Sequence, residues 1–486
     1  MTGNTKGTSM AKDKSVQSAH DQLVAILTPR QIGKALRVLM ANSNEDGPKP
    51  MAPAMVWGPP GIGKTEILRA IFKGWSYRTV ALHLAQYDPT DLKGIPIKTD
   101  DGRVIWVPSS YLPQQESRII DSDVREVRFK FHYATGVEVL VQDKDGEVVY
   151  RGGNPVAGDV NLLDGRTINF RIWDPRKGVE FERFDSSLHG YTVTVAEKAG
   201  LFLDELSAAP VEVQNAALQL VQDRRIAEYD VPMDTPIVCA GNRAGLDSNA
   251  VFELTPPLMN RLCHYRMRVN AREWIEDFAL SNGIRPEVIG YIARTGDKAL
   301  MEFNPDTLNE GDCGFPTPRS ITNMSRQLCS AYDGDPEMAP IQAATVAGWI
   351  GTTRAADFLA FRKNCQGLHD TDEILAGKPM SKLEMGPGER FFMATALCGK
   401  TRDLFVELGI HEGMMANQTY PDRWKVASGA LCKYLDSHLG KEMAVMCIHT
   451  LVQKMTPQIS MAYFKGNENF EWFAREYKTL ITKLGR

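Results

Sequence analysis

No two cysteines stand in a C-x-x-C spacing, no two histidines in H-x-x-x-H, and no Cys/His cluster forms anywhere in the chain. The ligand spacings of a zinc site are therefore missing. The 8 cysteines, Cys239, Cys263, Cys313, Cys329, Cys365, Cys398, Cys432 and Cys447, are scattered, several within apolar patterns such as Ile237-Val238-Cys239-Ala240. They read as reduced core residues of a cytosolic protein rather than as a disulfide framework. Long apolar runs are missing too: none reaches the ~18 residues of a membrane span. The opening stretch Met1 to Gln17 is polar without a hydrophobic signal core, so a cytoplasmic location with no membrane partner is expected. Neither sign of charge dominates, with 56 Lys+Arg against 60 Asp+Glu and a formal charge of -4. That balance gives no global electrostatic reason to bind nucleic acid or an anionic membrane, although a local patch stays open. No sequence repeat stands out.

What is present is enough chain, 486 residues at 43% hydrophobic and 24% charged, for two to four ordinary globular units. It is organised around Val56-Trp57-Gly58-Pro59-Pro60-Gly61-Ile62-Gly63-Lys64-Thr65, a short apolar strand running into a glycine-rich loop and then a helical pattern. The stretch matches G-x-x-x-x-G-K-[ST], the Walker A loop. The loop residues Gly58, Pro59, Pro60, Gly61, Ile62 and Gly63 are expected to wrap a polyphosphate: the glycines let the backbone N–H groups converge, the two prolines having none to give, and the following helix adds its positive end. Lys64 offers a point charge to the β- and γ-phosphates of a nucleotide, and the Thr65 hydroxyl can ligate Mg²⁺.

Residues 1–20 are Ser/Thr/Lys/Gly-rich and expected to be disordered. Leu23, Ile26 and Leu27, then Ile32, Ala35, Leu36, Val38 and Leu39, follow a helical spacing interrupted at Thr28-Pro29-Arg30. Beyond the loop, Thr79 to Leu84 reads as a buried strand, and Ile95 to Lys98 with Val104 to Val107 reads as a hairpin about an Asp101-Gly102 turn. From 115 to 198 the apolar residues alternate: Val127, Phe129 and Phe131; Val137, Val139 and Val141; Val148 to Tyr150; Thr167 to Trp173; Tyr191 to Val195. A compact all-β insertion is expected there. Strand and helix then alternate from Gly200 to Val269, which implies a parallel, helix-covered sheet with its ligand at the carboxyl ends of the strands. From Arg272 onward the pattern is almost wholly helical, with Gly/Asp-rich breaks at Asn309 to Gly314, Asp333 to Asp335 and Lys378 to Gly388.

Four further stretches carry chemistry. Leu201 to Leu206 is an apolar strand ending in Asp204-Glu205, where the first carboxylate can hold Mg²⁺ and the second can orient and activate a water. Pro236 to Asn242 is another buried strand ending in an amide that can bridge the γ-phosphate and that water. Arginines close Pro256-Pro257-Leu258-Met259-Asn260-Arg261 and begin a helix in Phe315-Pro316-Thr317-Pro318-Arg319.

Together these residues resemble an AAA+ ATPase, most nearly the MoxR-like branch, related to the dynein/midasin-type modules. The resemblance implies ATP and Mg²⁺ as ligands, with Lys64 and Thr65 on Walker A, Asp204 and Glu205 on Walker B, and Asn242 on the first sensor. It implies Arg261 as the arginine finger and Arg319 as the second sensor, with Arg243, which follows Asn242, a rival for the trans arginine. The implied fold is an α/β core over 21–270, interrupted by the insertion 115–198, a helical lid over 271–364 and a helical C-terminal region over 365–486. The hairpins at Asp88 to Trp106 and Arg225 to Tyr229 are implied to face a ring pore. The function implied is a ring-forming homo-oligomer, a hexamer, that remodels or activates a protein complex, with a von Willebrand A-type domain protein as its partner. A nucleic-acid motor, such as a helicase loader or restriction-type translocase, is the alternative that the same fold hosts, but no basic run supports it. A slow nucleotide switch is a third reading, against which Glu205 argues.

Overall fold

The computed structural model describes residues 25–453 apart from 42–50, 99–101, 108–111, 114, 120–126, 130–136, 143–147, 154–156, 162–166, 175–177, 184–191, 228, 233–234, 248–250, 304–313 and 410–420, together with Arg475. The expected disorder of residues 1–20, Phe131, Tyr191, the turn residue Asp101 and most of the break at Asn309 to Gly314 lie outside the described residues. The chain divides into two compact units, Met1–Arg268 and Val269–Arg486.

The first unit is built on six parallel strands: β1 (Ile26–Leu27), β2 (Ala54–Trp57), β3 (Arg78–His83), β4 (Ala199–Asp204), β5 (Ile237–Gly241) and β6 (Cys263–Met267). Their order across the sheet is β1-β6-β2-β5-β4-β3. Every residue of β4 and β5 is buried, as the continuous apolar runs of a sheet covered on both faces require. The helices α1 (Pro29–Ala41), α2 (Lys64–Gly74) and α3 (Val211–Asp223) accompany it. Inside this core, α2 buries Leu68 and Phe72. The Phe72 ring lies so close to Gly200 that a Cβ there would stand 2.6 Å from it, so β4 needs a glycine at that point. Burial pushes the thiol of Cys239 in β5 up, keeping it neutral, and the described cysteines are free.

Register decides what the sheet presents. Trp57 pairs with Gly241, Leu203 pairs with Cys239, and Asp204 pairs with His83. The residues that end β2, β5, β4 and β3 therefore share one edge of the sheet, where an open α/β fold binds its ligand.

One sequence expectation fails here. Ile26 and Leu27 are not helical but form β1, pairing with Arg266 and Met267 of β6. The reason is local: Pro29 takes the first helical position, and Thr28 and Gln31 exchange hydrogen bonds of 2.9 and 3.4 Å across the helix start. Such a start signal ends any helix arriving from the N-terminal side. The apolar pair is then left to add a strand to the sheet.

Between 115 and 197 the described backbone forms two four-stranded antiparallel sheets. The strands read from the sequence appear as Val127–Phe129, Val137–Gln142, Val148–Gly153, Thr167–Asp174 and Thr192–Glu197, joined by Gln115–Ile119, Ala157–Asn161 and Gly178–Arg183. Ala157–Asn161 contains Gly158 and Asp159, residues poor in strand propensity, and is held by its ladder to Thr167–Asp174. The expected hairpin is also present, Ile95–Lys98 against Val104–Val107. A one-turn helix, Pro89–Lys93, precedes it, closed by a reciprocal capping box between Asp88 and Asp91. Arg225–Ile226 and Tyr229–Asp230 form the second, shorter hairpin.

The second unit is helical, with α4 (Pro286–Thr295), α5 (Pro318–Gln327), α6 (Met338–Ile350), α7 (Thr352–Cys365), α8 (Pro387–Glu407), α9 (Asp422–Tyr434) and α10 (Lys441–Gln453) as its longer helices. Two hydrophobic clusters fill it, one centred on Tyr291, Phe358 and Phe361 and one on Trp424, Leu431 and Leu435. α4 and α8 cross at Gly290 and Gly388, where a Cβ on either would stand 2.6 or 2.7 Å from the other's carbonyl oxygen. No helix among the described residues is long and apolar enough to cross a membrane.

Candidate functional site

The site begins where β2 ends. The N–H of Gly58 donates to the Gly241 carbonyl at 3.2 Å, which hands the chain from the sheet to the loop. Gly61 and Gly63 take φ of 74° and 96°, left-handed values that glycine adopts without a Cβ clash. Ile62 between them is buried and pins the loop to the core. Gly63 then caps α2 with no side-chain hydrogen bond. The first-turn N–H groups of this 11-residue helix thus have no side-chain cap, and together with the left-handed glycines they form a cradle for an anion.

Lys64 lies across this cradle. Its ammonium donates to the Gly58 carbonyl at 2.7 Å, the Pro59 carbonyl at 3.2 Å and Asn242 Oδ1 at 2.7 Å. Beside it, Thr65 Oγ1 donates to Asp204 Oδ2 at 2.8 Å. Asp204 is buried, with 6% of its surface exposed, and its other oxygen accepts from the Glu205 N–H at 3.0 Å. A hydroxyl and a buried carboxylate side by side are hard oxygen donors of the kind that suit Mg²⁺. His83 Nδ1, at the end of β3, lies 3.7 Å from Asp204 Oδ2.

Glu205 is exposed and sits in the left-handed region at φ 58°, ψ 31°. For a residue with a Cβ this costs about 1–2 kcal/mol, and it turns the chain off the sheet immediately after Asp204. Its carbonyl is used, accepting from Ala208 N–H at 2.8 Å.

Asn242 is oriented by a residue that sequence reading missed. Ser207, 1% exposed, accepts the Asn242 N–H at 3.0 Å. Gly241 makes that contact possible, since a Cβ there would stand 2.6 Å from Ser207 Oγ and 2.7 Å from the Met55 methyl. Arg243 is held by a carboxylate of its own loop. Its guanidinium pairs with both carboxylate oxygens of buried Asp247 at 2.9 Å, and its N–H donates to the same side chain at 3.0 Å. Arg261 is exposed, and its guanidinium donates to the carbonyl of Pro257, at 2.7 Å, in its own short helix. Arg319 belongs to the second unit, exposed in the first turn of α5, whose start is closed by a reciprocal capping box between Thr317 and Ser320.

The fold thus brings Lys64, Thr65, Asp204 and Asn242 into one hydrogen-bonded cluster. Of the predicted residues outside it, Glu205 adjoins it through the backbone. Ser207 and His83 are additions that no motif signals, because Ser207 meets Asn242 across 35 residues of chain and His83 meets Asp204 through strand register.

No protein-family model and no curated protein matches the chain. Among solved structures, it is similar to NtrX from Brucella abortus, at 15% identity and a TM-score of 0.24, over 59% of this chain and 50% of that one. It is also similar to a "putative ATPase" from Cytophaga hutchinsonii, at 11% identity and a TM-score of 0.22, over 98% of this chain and 96% of that one. Likenesses this distant carry no argument about function.

Proposed function

We propose that the chain is a Mg²⁺-dependent ATPase of the AAA+ kind, MoxR-like, which works as a ring, a hexamer, and couples ATP hydrolysis to the remodelling or activation of a protein complex. One observation supports this most: the Lys64–Asn242 and Thr65–Asp204 hydrogen bonds, which join the phosphate loop to the ends of two different strands.

The residues divide the work by their chemistry. The N–H groups of the loop and of the α2 start bind the phosphates, and Lys64 adds a charge that can leave its carbonyl partners for phosphate oxygens. Thr65 and Asp204 hold Mg²⁺, which when bound draws charge from the phosphate oxygens. Glu205 takes a proton from the attacking water while Asn242 orients that water against the terminal phosphate. Arg261, exposed on its short helix, serves a neighbouring subunit's nucleotide. Arg243 is less suited to that task, because release from Asp247 would leave a buried carboxylate unpaired. Arg319 is assigned the second sensor role, and a von Willebrand A-type protein the role of client, on the sequence resemblance alone.

Lys64→Ala and Glu205→Gln separate binding from chemistry. Lys64→Ala is expected to lose ATP affinity, and Glu205→Gln to keep it while phosphate release falls by at least about a hundredfold. Unchanged turnover in Glu205→Gln sinks the assignment of the water-activating group.

A further inference from the structure

Arg261 depends on a piece of structure that cannot stand alone. Among the described residues, its guanidinium is hydrogen-bonded to Pro257 alone, within the four-residue helix Pro256–Met259. A single helical turn is a nucleus without propagation and has no stability of its own. Whatever fixes that turn also fixes the arginine.

Three anchors hold it. Leu258 is fully buried beneath it. At its start, the Thr255 N–H donates to Gln214 Oε1 at 3.2 Å, and the same amide donates through Nε2 to the Ala209 carbonyl at 3.1 Å, five residues beyond Asp204. At its end, the Met259 carbonyl contacts His264 Nε2 at 2.8 Å, and His264 Nδ1 contacts Trp57 Nε1 at 2.9 Å. An indole nitrogen only donates and a carbonyl only accepts, so the partners assign the tautomer: Nδ1 accepts and Nε2 carries the hydrogen. The two ring planes lie within 14° of each other with centroids 6.0 Å apart. Trp57 is the last residue of β2, directly before Gly58.

Resting on the reading of Arg261 as an arginine that serves a neighbour, we propose that His264 is a positioning residue, which holds the Arg261 turn against the strand that leads into the chain's own phosphate loop. Gln214 holds the other end of the turn to the segment that follows Asp204 and Glu205. Arg261 is thereby tied to the two strands of its own subunit that carry the nucleotide site, although the charge it supplies is used in another subunit. His264 acts through Arg261 and touches no nucleotide.

The test uses full-length chains, with ATP affinity, steady-state phosphate release and thermal stability measured for His264→Ala, His264→Asn, His264→Gln and Trp57→Phe. Glutamine can place an amide N–H where Nε2 stands and keep the Met259 carbonyl; asparagine is too short to reach it. His264→Ala and His264→Asn are expected to lower phosphate release about tenfold to a hundredfold, the scale of a misplaced catalytic group, with ATP affinity unchanged. His264→Gln is expected to restore most of it, and Trp57→Phe to fall between. Mixed with excess Lys64→Ala chains, whose own site is dead but whose Arg261 turn is intact, His264→Ala is expected to regain activity. A run with Arg261→Ala in parallel separates the two levels of failure. If Arg261→Ala turns over normally or is not rescued in the mixture, Arg261 serves no neighbour and the positioning role falls with it. If Arg261→Ala is slow and rescued while His264→Ala is as fast as wild type, is not rescued, or loses ATP affinity, the positioning role alone is overturned. Equal loss in His264→Asn and His264→Gln, with a matching loss of thermal stability, also overturns it, since that is the mark of a packing residue.

Discussion

Glu205 holds the clearest tension between stability and chemistry at the scale of a single residue. It is the one residue at the site with a side chain and a left-handed backbone, and such strain persists where the surrounding structure imposes it. Glu205→Gly is therefore expected to abolish turnover and yet stabilise the first unit by about 1 kcal/mol, read as a rise of a few degrees in its melting temperature. A fall in stability would mean that the glutamate side chain contributes contacts that outweigh its backbone cost. Residue by residue, the site was legible wherever its chemistry is written in contiguous chain: Lys64 and Thr65 after the glycines, Asp204 and Glu205 after an apolar run. It was illegible where function depends on partners distant in sequence. Trp57 and His264 are 207 residues apart and Asn242 and Ser207 are 35 apart, and nothing in the spacing of a lone serine or histidine announces such a contact. Between the two rival arginines, the sequence context favoured Arg261 without removing Arg243. The presence of Asp247 four residues after Arg243 became informative only once burial of that carboxylate was seen.

Among the elements, the insertion is the one whose independence can be argued from hydrogen bonding. Among the described residues, every ladder partner of β4 is a core strand, β3 or β5, and Thr192–Glu197 pairs only with strands of the insertion. Its entry and exit are neighbours as well, since Gln115 pairs with Ala196, a Cα separation of roughly 5 Å in an antiparallel pair. Replacing 115–198 by a short Gly/Ser linker is accordingly expected to leave a soluble chain with ATP affinity within about twofold of wild type, because distant, independent units contribute separately. An insoluble or non-binding product would place the insertion within the core. Retained basal turnover with loss of stimulation by a partner would mark a docking module, and failure of assembly would mark a brace. Period-two alternation exposed most of these strands in the sequence, and it missed Ala157–Asn161 because pairing rather than composition makes that strand. The same limit explains β1: the apolar spacing of Ile26 and Leu27 fits a helix or a strand, and the helix start at Thr28 and Pro29 decides between them.

For the whole molecule, the proposed function requires that a complete hydrolytic site be built from two chains, one giving Lys64, Thr65, Asp204, Glu205 and Asn242 and the other Arg261. A positive charge on the transferring phosphoryl group is worth about 10³–10⁵ in rate, so a chain without a neighbour should bind ATP and scarcely turn it over. The direct measurement is phosphate release per chain at saturating Mg²⁺-ATP, followed across protein concentration alongside the mass of the particle in solution. Turnover per chain is expected to rise steeply as oligomers form, and to vanish at every concentration when Mg²⁺ is chelated. Turnover per chain that stays constant down to concentrations where the protein is a monomer would contradict it.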